Sequence, residues 1–394
     1  MLLINFFISL EFMLWLSFGG IITWSGGIGL ANITIEDSII NKENNYDILR
    51  FIAACLVIIS HAYPLSGHMG EFFVLFTKGQ QSLGDVAVAI FFVISGFLIS
   101  QSYDRSNNII HFIAARILRI YPALIVSILF GALLIGPLVT TLGMREYFSS
   151  RETYSYLKAM LLFPMQWNLP GVFEYGSDRN TSINGSLWTI PFEVLCYAVV
   201  AIIGILKLNK RRNFILFLFC LSFYTLIYLR PYIMGTPKVY WPSFIDLFPF
   251  FAAGMIMYYY REKIMISSWY ASISFFLLLL SSQFGGFKFV LLFSGTYLIM
   301  YFVYHPKIKL HGFSKFGDFS YGLYIYAFPV QQTVTYFFNS KLSPWLNLAI
   351  SLPITLALAF LSWHIIEKHA MKLKKYFKNK KQIEVIDYPK VEVR

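Results

Sequence analysis

Apolar runs long enough to cross a bilayer recur from about residue 50 to residue 366, and no other feature constrains the fold of this chain as much. A helix of about 20 mostly apolar residues spans a hydrocarbon core. Lipid offers no partner to a bare N–H or C=O, so such runs are helical. Ten qualify, at 51–67, 85–102, 112–137, 187–206, 213–229, 243–260, 269–284, 287–304, 317–338 and 345–366. Only 13% of the residues are charged, against about 25% in soluble domains. That excludes the pair of soluble domains that 394 residues would otherwise allow. The expected fold is an all-α, polytopic membrane helix bundle of about ten transmembrane helices.

The basic residues orient it. With the start of the first span on the cytoplasmic side, 23 of the 32 Lys and Arg fall inside and nine outside. Without the tail the split is still 14 to 9. This is the positive-inside bias of a plasma (inner) membrane protein with a cytoplasmic C-terminus. It accounts for the net charge of +12 without nucleic acid. Three regions follow: a hydrophobic extension and cytoplasmic lead-in (1–44), a membrane domain (45–370), and a basic tail (371–394) suited to anionic lipid. Residues 1–30 carry Glu11 and lack a basic leader, which argues against a signal peptide. They are expected to form an extra span, an amphipathic surface segment, or sequence upstream of the true start. The longest outside segment, 138–186, is rich in aromatic residues and reads as a functional loop, with an interfacial helix over 153–163.

Polar groups at membrane depth are the functional candidates. Arg50 and His61 lie eleven residues apart, about 16 Å along a helix and three full turns, so they share a face. A neutral imidazole there suits general-base work. Against this stand the bland readings, an interface histidine and a snorkelling arginine. Glu193 lies two or three turns into the fourth run, as a candidate catalytic carboxylate or a helix–helix contact. Arg116 and Arg119 share a helix face and suit bidentate phosphate binding, although composition alone favours simple anchoring. Tyr321, Tyr324 and Tyr326 follow Ser320 with spacing typical of helix packing. Glu367 reads as an interface residue snorkelling to water. Cys55, Cys196 and Cys220 lie in apolar runs as small hydrophobes, and the seven scattered histidines offer no metal site.

In their order these features resemble membrane acyltransferase family 3, over about residues 45–370. The resemblance is carried by Arg50-x10-His61, by the Phe-Phe-Val-x-Ser-Gly-Phe-Leu-Ile run at Phe91–Ile99, and by Arg-x-x-Arg-Ile-x-Pro at Arg116–Pro122. Leu-Trp-(Ser/Thr)-x-x-x-Glu at Leu187–Glu193 and Ser-Tyr-Gly-x-Tyr at Ser320–Tyr324 complete it. The chain departs from the family at Ala327-Phe328-Pro329 and at Glu367-Lys368-His369.

The resemblance implies an O-acyltransferase, chiefly an O-acetyltransferase, moving an acyl group from cytoplasmic acyl-CoA to a hydroxyl of a cell-surface or lipid-linked glycan. It implies that His61 is the essential catalytic histidine and Arg50 its companion. In the mechanism that joins this to the residue reading, Glu193 holds the His61 tautomer, and His61 either deprotonates the sugar hydroxyl or is acylated first and relays the group. Donor binding falls to Arg116 and Arg119, and substrate contact to Trp188 and Tyr321. Acyl-CoA serves as a donor substrate, with no permanently bound cofactor, metal or nucleic acid. The rival readings are a proton-coupled transporter and a glycan flippase. Embedded Glu, His and Arg suit both, but no internal repeat of the transporter kind is present.

Overall fold

The computed structural model describes residues 33–40, 44–106, 108–174, 182–230, 241–339 and 341–377. The extension at 1–30 and the end of the basic tail lie outside them. Every one of the ten expected runs is a helix: α1 (Tyr46–Leu65), α2 (Leu83–Ser106), α3 (Ile109–Val139), α4 (Gly185–Ile205), α5 (Arg212–Leu229), α6 (Trp241–Tyr259), α7 (Ser268–Phe284), α8 (Phe287–Tyr304), α9 (Ser320–Phe337) and α10 (Pro344–Phe377). Seven are long and apolar enough to cross a membrane on their own account; α6, α7 and α9 are shorter or more polar. The protein is thus an all-α, multi-pass membrane bundle, with no strand among the described residues.

The polarity of α9 has a structural reason. Fourteen of its 18 residues are buried, against α1, α10 and the start of α4. A helix wrapped by protein need not be apolar to lipid. Its polar side faces α10, where Asn347 Nδ2 donates to the Gln331 carbonyl at 3.1 Å and to Thr335 Oγ1 at 2.9 Å. Pro329 cannot donate to the Ile325 carbonyl one turn earlier. Asn184 Nδ2 at 2.7 Å and Ser127 Oγ at 3.1 Å take that carbonyl instead, tying α3 and the lead into α4 to the central helix.

Two helices touch backbone to backbone. A methyl group on Gly96 of α2 would lie 1.9 Å from the Phe251 carbonyl oxygen, and one on Gly254 of α6 would lie 2.1 Å from that of Val93. In lipid, where apolar side chains gain little by meeting one another, such close approach drives helix pairing. Gly96 belongs to the Phe91–Ile99 run, so that motif's glycine serves α2–α6 packing.

The segment expected as an outer functional loop is folded onto the bundle. It contains helices Met144–Ser149 and Arg151–Tyr156 and a tighter turn at Leu157–Leu161. Tyr147, Tyr156 and Phe173 are fully buried. A wide π-turn at Gly131–Ile135 sends the Gly136 N–H back to the Gly131 carbonyl, and Pro137 has no N–H to give. The Ala132 carbonyl left over accepts from Tyr147 Oη at 2.8 Å. Part of the loop's aromatic surface therefore packs the bundle, while Phe148, Tyr154 and Phe163 stay exposed.

Candidate active site

At one end of the bundle, called here the basic end, polar side chains from four helices meet in the interior. Arg50 on α1 and Arg119 on α3 both donate to Asp318 Oδ2, at 2.8 and 2.6 Å. Asp318 precedes α9, and Ser320 Oγ holds its other oxygen at 2.5 Å. Arg119 also donates to Glu367 Oε2 on α10 at 3.0 Å. Glu367 is 1% exposed, and Ser362 Oγ donates to its second oxygen at 2.9 Å. The expectation that Glu367 snorkels to water is therefore wrong. A π-turn at Ser362–Glu367 adds a residue to the helical turn, shifting the helix phase by about 100°, and the carboxylate faces inward.

Above this network lies a cavity of about 150 Å³. Arg50, Arg116, Arg119, Glu193, Ser320 and Tyr321 give its polar wall, and Phe91, Phe92, Ile190 and Tyr324 much of its apolar one. Five of the seven candidate site residues thus share one chamber. The arginines differ within it. Arg119 is engaged by two carboxylates and lies over the rings of Tyr321 and Trp363. Among the described residues, Arg116 has no carboxylate at ion-pair distance. Its Nη2 reaches Ser102 Oγ at 3.3 Å, and its Nε is buried without a partner. Glu193 accepts a hydrogen bond from the Tyr197 hydroxyl and makes none to His61, so the tautomer-setting role has no contact behind it. The Tyr321 hydroxyl is taken by the Ile120 carbonyl at 3.0 Å, leaving its ring to the chamber.

His61 and Trp188 lie outside the chamber lining. Trp188 packs edge-on against Phe192. His61 is half-buried near the far end of α1, edge-to-face with Phe328 at 5.2 Å, and its Nδ1 is buried without a partner. Phe328, the ring that His61 meets, sits beside two elements of the chamber wall. It lies one turn along α9 from Tyr324 of the chamber wall, and its ring leaves no room for a Cβ on Gly185, one turn before Thr189 of the same wall. Asn184 Oδ1 and Ser186 Oγ, flanking Gly185, are also buried and unpartnered.

Sequence reading passed over Asp318, the hub of the network. Its one signal was an isolated acid two residues before the Ser320-Tyr321 pair, at the mouth of an apolar run. Tyr197, one turn from Glu193, was legible by the same spacing argument.

Comparison with known proteins agrees with this architecture. Residues 43–364 match the acyltransferase domain family. The chain is 33% identical over 344 residues to an O-acetyl transferase of Shigella phage Sf6, covering 83% of this chain and 96% of that protein. It is 27% identical over 365 residues to Nodulation protein 10 of Rhizobium leguminosarum bv. viciae, covering 84% and 94%. No solved structure gives a significant match. With the family matched across the ten-helix bundle and the chamber inside it, the chain belongs to the acyltransferase domain family and is a multi-pass membrane acyltransferase.

Proposed function

We propose that this protein O-acetylates a hydroxyl of a cell-surface or lipid-linked glycan, taking the acetyl group from acyl-CoA that enters at the basic, cytoplasmic end. One observation carries the reading: a single helix, α1, presents Arg50 to a cationic chamber at one end and an unpartnered histidine nitrogen towards the other. A donor with phosphates at one end and a thioester at the other suits that polarity. The relative named an O-acetyl transferase supports acetyl as the group moved.

In this reading the phosphates stay at the basic end and the pantetheine arm runs through the chamber. The step from chamber to His61 passes Phe328, whose ring has to turn aside. His61 accepts the proton of the sugar hydroxyl, and the oxygen attacks the thioester carbonyl. The C–S bond breaks, the thiolate leaves, and the His61 proton goes to it. Arg50 stays too far down α1 to reach the oxyanion. Its role is to hold Asp318, and through it Arg119. Asn184 and Ser186 are polar groups near Phe328 available to the acceptor.

The test is transfer of labelled acetyl from acetyl-CoA to surface glycan in membranes, with wild type and His61→Ala at matched protein levels. Alkali-labile label with wild type alone supports the reading. Label with both removes His61 from the chemistry. No label with either, across several donors and acceptors, moves the protein to the transporter or flippase reading.

A further inference from the structure

We infer that Lys374, near the C-terminal end of α10, joins Arg116 to form a site for the phosphates of the donor, while Arg119 serves the fold. This rests on the acyl-CoA reading above and names a binding residue outside it. Residues 368–377 do not trail away from the bundle but pack along the basic end of α3. Lys368, Lys372 and Lys375 are exposed there, whereas Lys374 is half-buried. Met371, three residues before it, has its Sδ 4.0 Å from Arg119 Nη1, which sets this segment against the arginines of α3.

Three cations drawn together repel unless anions compensate. Arg119 has its anions, Asp318 and Glu367. Neither Arg116 nor Lys374 makes an ion pair with a described residue. The carboxylate whose charge reaches Arg116 is Glu193, which is already hydrogen-bonded to Tyr197. Arg116 meanwhile keeps a buried Nε with nothing to donate to, its guanidinium braced 5.9 Å from the rings of Phe112 and Tyr197. A braced guanidinium that lines the chamber and keeps a free N–H, with a half-buried ammonium on the segment packed along the same helix, is a phosphate-binding arrangement. Lys374 is less exposed than Lys368, Lys372 and Lys375 around it, which favours a ligand phosphate over a lipid headgroup.

Lys374→Gln and Lys374→Arg test this in purified full-length protein, with two donors: acetyl-CoA, and S-acetyl-pantetheine, the same thioester without phosphates. Lys374→Gln is expected to raise KM for acetyl-CoA on the order of tenfold, the worth of one charge-assisted hydrogen bond. Its kcat, and its KM for S-acetyl-pantetheine, stay at wild-type values, and Lys374→Arg restores KM for acetyl-CoA. An equal change with both donors makes Lys374 structural and overturns the inference. A defect that follows the anionic lipid content of nanodiscs assigns the phosphate to a lipid headgroup and overturns it too. Wild-type turnover with no effect of Lys374→Gln defeats this inference alone. Wild type inactive with both donors defeats the acyl-CoA reading with it.

Discussion

Asp318 receives two guanidiniums that arrive on different helices, one of them from 268 residues away in the chain. Removing one partner of a buried ion pair costs about 3–5 kcal/mol, because the other charge is left without compensation. Here one substitution takes a carboxylate from two arginines at once, leaving Arg119 with Glu367 and Arg50 with Asp47 at 3.5 Å. Asp318→Asn keeps the shape and loses the charge, and is expected to destabilise the protein by about 3 kcal/mol or more and to reduce acyl transfer severely. Thermal unfolding in detergent and the acetyl-transfer assay read the two effects. Unchanged melting together with unchanged transfer would contradict the hub role. Of the residues here, Arg50, Arg116, Arg119 and Glu193 were legible because charge at membrane depth is conspicuous. Asp318 was not, because an acid at a helix mouth looks like any interfacial residue until its partners are seen.

Helices in this protein are specified by local hydropathy, but their contacts by small residues and missing N–H groups. The α2–α6 crossing depends on Gly96 and Gly254, where an added carbon meets backbone rather than a movable side chain. Gly254→Leu is therefore expected to exceed the roughly 1–3 kcal/mol usual for overpacking and to abolish the folded peak in size-exclusion chromatography. Gly312→Ala, where an added carbon meets nothing within 4 Å, serves as the tolerated control. A monodisperse, active Gly254→Leu protein would disprove the close approach. Pro329 in α9 and Pro137 in α3 act differently. Each leaves carbonyls that side chains from elsewhere must take, so each break in a helix becomes a tie between helices. The run at 317–338 was found by hydropathy, but its place at the centre was not, since nothing local tells that Gln331 is buried and donates to the Ile58 carbonyl of α1.

Across the whole molecule, the basic end and the His61 end define a direction. If the basic end is cytoplasmic, Met69→Cys at the opposite end, 96% exposed, is expected to react with an impermeant maleimide on intact cells. Tyr376→Cys, 72% exposed at the C-terminal end of α10, is expected to react only after permeabilisation. The reverse pattern would invert the topology and place the chamber on the wrong side for a cytoplasmic donor. The amino-acid sequence by itself determined the ten helices and their order. Satisfying the backbone in lipid is a local requirement, and each run answers it within its own length. It also marked most of the chamber's charged residues, since a charge in an apolar run is costly wherever the run ends up. Only the tertiary structure decided which of those charges are spent on one another. Arg119 is held by two carboxylates and Arg116 by none, although the two lie on the same helix face in the same motif. The difference arises because electrostatic pairing in a medium of low dielectric depends on distances of a few ångströms between segments far apart in the chain, and those distances exist only once the helices have packed.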